Sequence, residues 1–134
     1  RKYRELVFLY PEYTKHPIET VEYFKKFCGD KNLKYNIQIS SEEFEVKAGV
    51  AYFSVSDRML GRFLAQCRSR KLEPGTDTGI ISYNETPMKQ FIYKGITVIT
   101  TDFEMLGKKA AEFVANDLPM GFCVPTSMII RESL

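Results

Sequence analysis

Histidine is almost missing from this 134-residue sequence and cysteine is sparse: His16 is the only imidazole, and Cys28, Cys67 and Cys123 lie far apart with no CxxC pair. A structural zinc centre gathers closely spaced nitrogen and sulfur ligands, and this scattered set has no such spacing. An odd number of separated thiols is no disulfide framework either, and points to reduced cysteines in a cytoplasmic protein. No apolar run approaches the roughly 18 residues of a bilayer crossing, so no membrane partner is expected. An excess of one charge is also lacking. With 19 basic and 17 acidic side chains the net charge is +2, which gives no argument for a nucleic-acid surface on the chain itself. There is no GxSxG elbow, no P-loop and no metal cluster, and Cys28 and Cys67 fall on apolar helical stripes with no base beside them. The sequence therefore reads as a non-enzyme with no cofactor. Its start, Arg1-Lys2-Tyr3-Arg4, leads straight into a strand pattern, so no signal peptide is expected.

What is present is one domain's worth of core, with a hydrophobic fraction of 44%. Glu5–Tyr10 is a short apolar run ended by Pro11, a buried strand. Ile18, Val21, Phe24, Phe27 and Cys28 recur at helical spacing, with Pro17 at a first helical position and Gly29 as the stop. Tyr35–Ile39 and Val50–Val55 read as the second and third strands. Ser56-Asp57 then caps a helix whose stripe is Met59, Leu60, Phe63, Leu64 and Cys67, ending before Pro74-Gly75. Thr78–Tyr83 and Ile96–Thr100 are two more strands. Thr101 and Glu104 have capping-box spacing and open a third helix, with Phe103, Leu106, Ala110, Phe113 and Val114 on one face. A last strand runs over Cys123–Ile130, where Pro125 argues for an edge or a bend. The expected helices are 17–28, 57–70 and 102–116. Strands alternating with helices predict a three-layer α/β fold on a largely parallel sheet.

The connection from Ser40 to Gly49 is too short for a helix with its turns. If the third strand lies beyond the first, the chain must cross roughly 10 Å sideways and return along roughly 17 Å of strand. Ten extended residues reach roughly 33 Å, so a helix-free crossover is predicted, leaving part of one sheet face bare. Its Glu42, Glu43 and Glu45 read as a solvated stretch, not a metal site.

In open α/β sheets ligands gather beyond the carboxyl ends of the strands. Those ends carry Tyr10, Ser40, Ser56-Asp57, Asn84-Glu85 and Thr101-Asp102. Such residues also serve as turns and helix caps.

From Ala51 onward the sequence resembles the lactose-repressor/galactose-repressor (LacI/GalR) family of sugar-responsive bacterial regulators. Val55-Ser-Asp57 stands where the family has an Asn-Asp after a strand. Leu72-Glu-Pro-Gly-Thr-Asp-Thr-Gly-Ile-Ile-Ser-Tyr-Asn-Glu-Thr86 follows its leucine–glycine–strand–aromatic–Asp-Asp pattern. Ile96-Thr-Val-Ile-Thr-Thr-Asp-Phe-Glu-Met-Leu-Gly107 is similar to its Leu-Thr-Thr-Ile…Leu-Gly block, and Val124–Ser133 to its closing strand and basic tail. Gly79–Pro87 and Ser56-Asp-Arg58 also resemble regulators that join such a sensor to a winged-helix domain of the GntR type.

The resemblance implies the C-terminal lobe of a two-lobed, periplasmic-binding-protein-like type I sensor, with the first lobe and the DNA-binding domain lying outside the chain and 102–122 crossing toward the other lobe. It implies a small polar effector, a sugar or sugar derivative, DNA contact only through the separate domain, and a homodimer. A periplasmic sugar receptor of a transport system is the alternative. Carried over by position, the ligand set is Asn84, Ser56, Asp57, Thr101, Asp102 and Phe103. The family's sugar-gripping arginine falls near Thr20, so that anchor is missing, and Lys15, His16 and Glu19 are the nearest substitutes. Each has a plainer reading. His16 is a surface or capping residue, Asp57 and Asp102 cap helices, Thr101 belongs to a capping box, and Phe103 packs in a core. Lys108-Lys109 is a solvated helix face.

Overall fold

In a computed structural model, which describes residues 2–39, 43–116 and 121–134, the chain folds as β1 (Glu5–Tyr10), α1 (Glu19–Asp30), β2 (Tyr35–Ile39), β3 (Val50–Ser54), α2 (Asp57–Arg70), β4 (Gly79–Tyr83), β5 (Thr97–Thr101), α3 (Phe103–Asn116) and β6 (Thr126–Ile129). A short 3-10 turn, Lys89–Phe91, precedes β5. The strands form one sheet in the order β2-β1-β3-β4-β5-β6, parallel except for the antiparallel edge strand β6. This is the predicted α/β fold.

Period-two alternation in the strands sorts side chains onto the two faces. Val7, Leu9, Val50, Tyr52, Ile80 and Val98 meet Met59, Leu60, Phe63 and Cys67 of α2 on one face. Phe8 and Tyr10 meet Val21, Phe24 and Cys28 of α1 on the other. Strands buried on both faces explain the unbroken apolar runs.

The crossover from β2 to β3 has no helix among its described residues, 43–49, while the predicted start at Ser40 and the acidic Glu42 lie outside the described residues. The bare face is smaller than expected, because Phe44 and Val46 turn inward and join the α2-side core. Backbone groups there are satisfied by side chains: Gln66 Nε2 donates to the Phe44 carbonyl (2.6 Å) and Gln66 Oε1 accepts from the Val46 N–H (3.0 Å). Tyr52 Oη donates to the Glu45 carbonyl (3.0 Å) and accepts from the Lys47 N–H (2.9 Å). Glu45 is not merely solvated either. It pairs with Arg70 at 2.7 Å, and that guanidinium holds its carboxyl below the usual range. A groove of about 320 Å³ remains along Asn36, Gln38 and Glu43.

Several boundaries differ from expectation. α1 starts at Glu19 and runs through Gly29; the left-handed turn that follows it falls at Asn32 (φ 48). Thr101 is the last residue of β5, so the cap of α3 is Asp102, whose Oδ1 accepts from the Met105 N–H at 2.9 Å. β3 and β6 are shorter than predicted, and Pro125 sits just outside β6. The tail tucks back on the sheet: buried Ser133 Oγ donates to the Ile80 carbonyl (2.7 Å) and accepts from the Thr97 N–H (2.8 Å). That close return requires a glycine at 75, where φ is 87° and a Cβ would sit 1.7 Å from the Glu132 carbonyl oxygen.

α3 has no buried residue. Its Phe103, Leu106 and Val114 are exposed.

Candidate functional site

Parallel strands β1, β3, β4 and β5 all end at one rim of the sheet, and the segment between β1 and α1 folds over it. Pro11, Tyr13, Thr14, Lys15 and His16 of that segment face Val55 and Ser56 after β3 across a groove of about 330 Å³. The segment is held by its own polar groups: Tyr10 Oη donates to the His16 carbonyl (2.7 Å), and Thr14 Oγ1 accepts from the His16 N–H (3.1 Å). The His16 ring stands edge-on to Tyr83, with centroids 5.2 Å apart. Lys15, His16 and Ser56 thus share one groove, and Tyr83 brings the end of β4 to its edge.

Asn84 follows Tyr83 in the left-handed region, at φ 60. The turn does therefore use an asparagine, since Asn tolerates this region better than most residues. Its N–H donates to the Ile99 carbonyl at 2.7 Å. Its side-chain Oδ1 is buried and has no hydrogen-bond partner among the described residues, a condition it shares with Ser82 Oγ of β4. Leaving a buried acceptor unmatched costs about 1–3 kcal/mol.

Asp57 opens α2 behind Ser56, whose side chain makes no capping bond. Its carboxylate takes an ion pair from Lys89 Nζ at 2.8 Å. The same ammonium donates to the carbonyls of Tyr83 (3.0 Å) and Asn84 (2.7 Å). Asp57 and Asn84 are therefore joined through Lys89, a residue that sequence reasoning missed. A lysine inside Met88-Lys-Gln-Phe-Ile92 has no periodicity that marks it as buried. Tyr83 was missed too, although its place at the end of a strand was a signal.

Thr101, Asp102 and Phe103 do not line the groove. Thr101 is half-buried and pairs in register with Thr126, Asp102 caps α3, and Phe103 is 51% exposed at the start of that helix, outside both core clusters. Glu85 turns away to an ion pair with Arg131, whose guanidinium also donates to the Ile96 carbonyl (2.8 Å). Lys108 and Lys109 pair with Glu104 and Glu112 on the exposed surface of α3. Among the described residues no three His, Cys, Asp or Glu side chains are grouped to hold a metal ion, and no helix is long and apolar enough to cross a membrane.

The model of the periplasmic-binding-protein-like domain family matches residues 1–134. The chain belongs to this family. No curated protein matches the sequence. Solved structures share the family fold at low identity. A probable maltose operon transcriptional repressor from Staphylococcus aureus is 18% identical with a TM-score of 0.76, over 98% of this chain and 54% of that one. A periplasmic binding protein/LacI transcriptional regulator from Alkaliphilus metalliredigens, complexed with D-xylulofuranose, is 15% identical with a TM-score of 0.77, over 98% and 57%. A PurR family regulator from Vibrio parahaemolyticus is 18% identical with a TM-score of 0.78, over 98% and 55%. The chain thus spans about half the length of these periplasmic-binding-protein-like relatives.

Proposed function

We propose that this chain is the C-terminal lobe of the effector-sensing domain of a bacterial transcriptional regulator, and that it binds a sugar or sugar derivative at the carboxyl rim of its sheet. The observation that carries the reading is Asn84 Oδ1, a buried acceptor at that rim with no partner among the described residues. A ligand hydroxyl donating to it would offset the cost of the unmatched oxygen. Ser56, Lys15 and His16 supply further polar contacts in the adjoining groove, and Tyr83 an aromatic edge. Structures of similar fold include complexes with D-xylulofuranose and with lactose, which supports the sugar class. In this reading Thr101, Asp102 and Phe103 meet the ligand only when the other lobe closes on it.

The first lobe and a DNA-binding domain of winged-helix (GntR) or helix-turn-helix type lie outside the chain, the regulator works as a homodimer in the cytoplasm, and 102–122 passes to the other lobe. Of that segment 117–120 lies outside the described residues. Unburied apolar side chains on α3 support a missing neighbour there. Burial pushes the Cys28 thiol up and the Cys67 thiol up to about 12, so neither is an activated nucleophile, which supports a binding role over thiol catalysis.

A thermal-shift screen of the intact protein against pentoses, hexoses and disaccharides tests the proposal. A sugar present at a hundred times its Kd should stabilise the fold by about 2.7 kcal/mol. No shift with any sugar overturns the sugar class. The rival reading, a transport receptor of the same fold, is favoured by a signal peptide upstream and excluded by a DNA-binding domain there.

A further inference from the structure

Lys89 is the most unusual side chain at the rim. It is 2% exposed, and lysine is almost never buried unless its charge is paired. An ammonium carries three N–H donors. Here three acceptors meet it: the Tyr83 carbonyl at 3.0 Å, the Asn84 carbonyl at 2.7 Å and Asp57 Oδ1 at 2.8 Å. The base of this strut is also fixed. The Lys89 N–H donates to the Thr86 carbonyl (3.0 Å), and the Lys89 carbonyl accepts from the Ile96 N–H (2.9 Å), which ties the turn to the start of β5.

Asn84 is consequently held from two sides, its N–H by Ile99 and its carbonyl by Lys89. Both bonds act on a residue in the left-handed region, a conformation that L side chains seldom adopt without support. The carboxylate of Asp57, on a different element, is bound to the same nitrogen. A methionine would fill the space without desolvating a charge, so packing alone does not account for a lysine here. What the ammonium adds is direction, because its three bonds fix two carbonyls and one carboxylate about a single point.

We propose that Lys89 is a positioning residue of the candidate site. It locks Asn84 in its left-handed conformation and fixes it relative to Asp57, so that the Asn84 side-chain oxygen is presented to a ligand donor. The proposal rests on the reading of the rim as the binding site, and its first test needs no ligand.

Amide hydrogen exchange and the side-chain amide resonance of Asn84 are followed by NMR in the intact protein and in Lys89→Met. The Asn84 amide should exchange at least about tenfold faster and its side-chain resonance should move, while Phe8, Tyr52 and Ile80 in the core keep their protection. If Lys89→Met does not fold, Asp57→Ala removes one acceptor at the surface and should shift the same resonance, and Asp57→Glu, which keeps the carboxylate, should restore it. An Asn84 signal unchanged in the folded variants overturns the proposal. Lactose and D-xylulose are then titrated into the same proteins. Weakening of about tenfold or more in Lys89→Met supports the positioning role, and equal affinity overturns it. Failure of the wild type to bind either sugar counts against the proposed ligand class alone, and the exchange result still decides the strut.

Discussion

At Asn84 a place in the left-handed turn meets the proposed ligand role, and substitution separates the two. Asn84→Gly keeps a backbone that enters the left-handed region freely, and it removes only the side chain. Sugar affinity should fall by about 1–3 kcal/mol, while the melting temperature changes little because loss of the unmatched oxygen offsets the added chain entropy of glycine. Calorimetry and thermal unfolding on one sample check both, and unaltered affinity would refute the ligand role. The position of Asn84 at the end of β4 was legible in sequence, because a polar residue after a short apolar run marks a strand end. Lys89 was not, because its burial depends on β4, β5 and α2 meeting around it.

The buried thiol of Cys67 makes the fold sensitive to alkaline pH. Its ordinary value is 9.0, and burial raises it in the fold to about 12. The unfolded chain therefore releases the thiol proton first, so the contribution of Cys67 to stability is complete below about pH 9 and is lost as pH rises toward about 12. Denaturation curves across that window should show falling stability, with a smaller fall in Cys67→Ala. The alkylation rate of Cys67 should follow unfolding, whereas Cys123, which is exposed, reacts directly.

The elements were legible where periodicity and punctuation agree. β1 and β2 fall where the sequence reading puts them, and α2 runs from Asp57 to Arg70, ended by Lys71 in the left-handed region (φ 56). Gly29 misled because α1 gains packing through Cys28 and continues past it. The inward turn of Phe44 and Val46 was illegible for a different reason. A crossover without a helix shows no period, and its apolar residues declare themselves only when an open sheet face lies beneath them. Truncating such a residue removes transfer energy and leaves a cavity, so Phe44→Ala should destabilise by about 3–5 kcal/mol. Urea denaturation measures this, and a loss under about 1 kcal/mol would show that the crossover only lies on the surface.

On the scale of the molecule, α3 is the part without a home. Each large apolar side chain left in water forgoes about 1.5–3 kcal/mol of burial. Phe103, Leu106 and Val114 are exposed together on this helix, so the chain by itself should self-associate at micromolar concentration. Sedimentation would show a dimer or larger species. A clean monomer with α3 ordered and exposed would contradict the packing argument.

The central claim is that this chain is one half of a ligand cleft. Pockets bury about 70–90% of a small ligand, and a single lobe supplies only part of that surface while the ligand still loses its freedom of motion. The most direct test is calorimetric titration of one sugar into the two-lobed protein and into this lobe alone. The account predicts a Kd in the micromolar range for the first and millimolar or weaker for the second, a difference of about 4 kcal/mol. Equal, tight binding by the isolated lobe would contradict it.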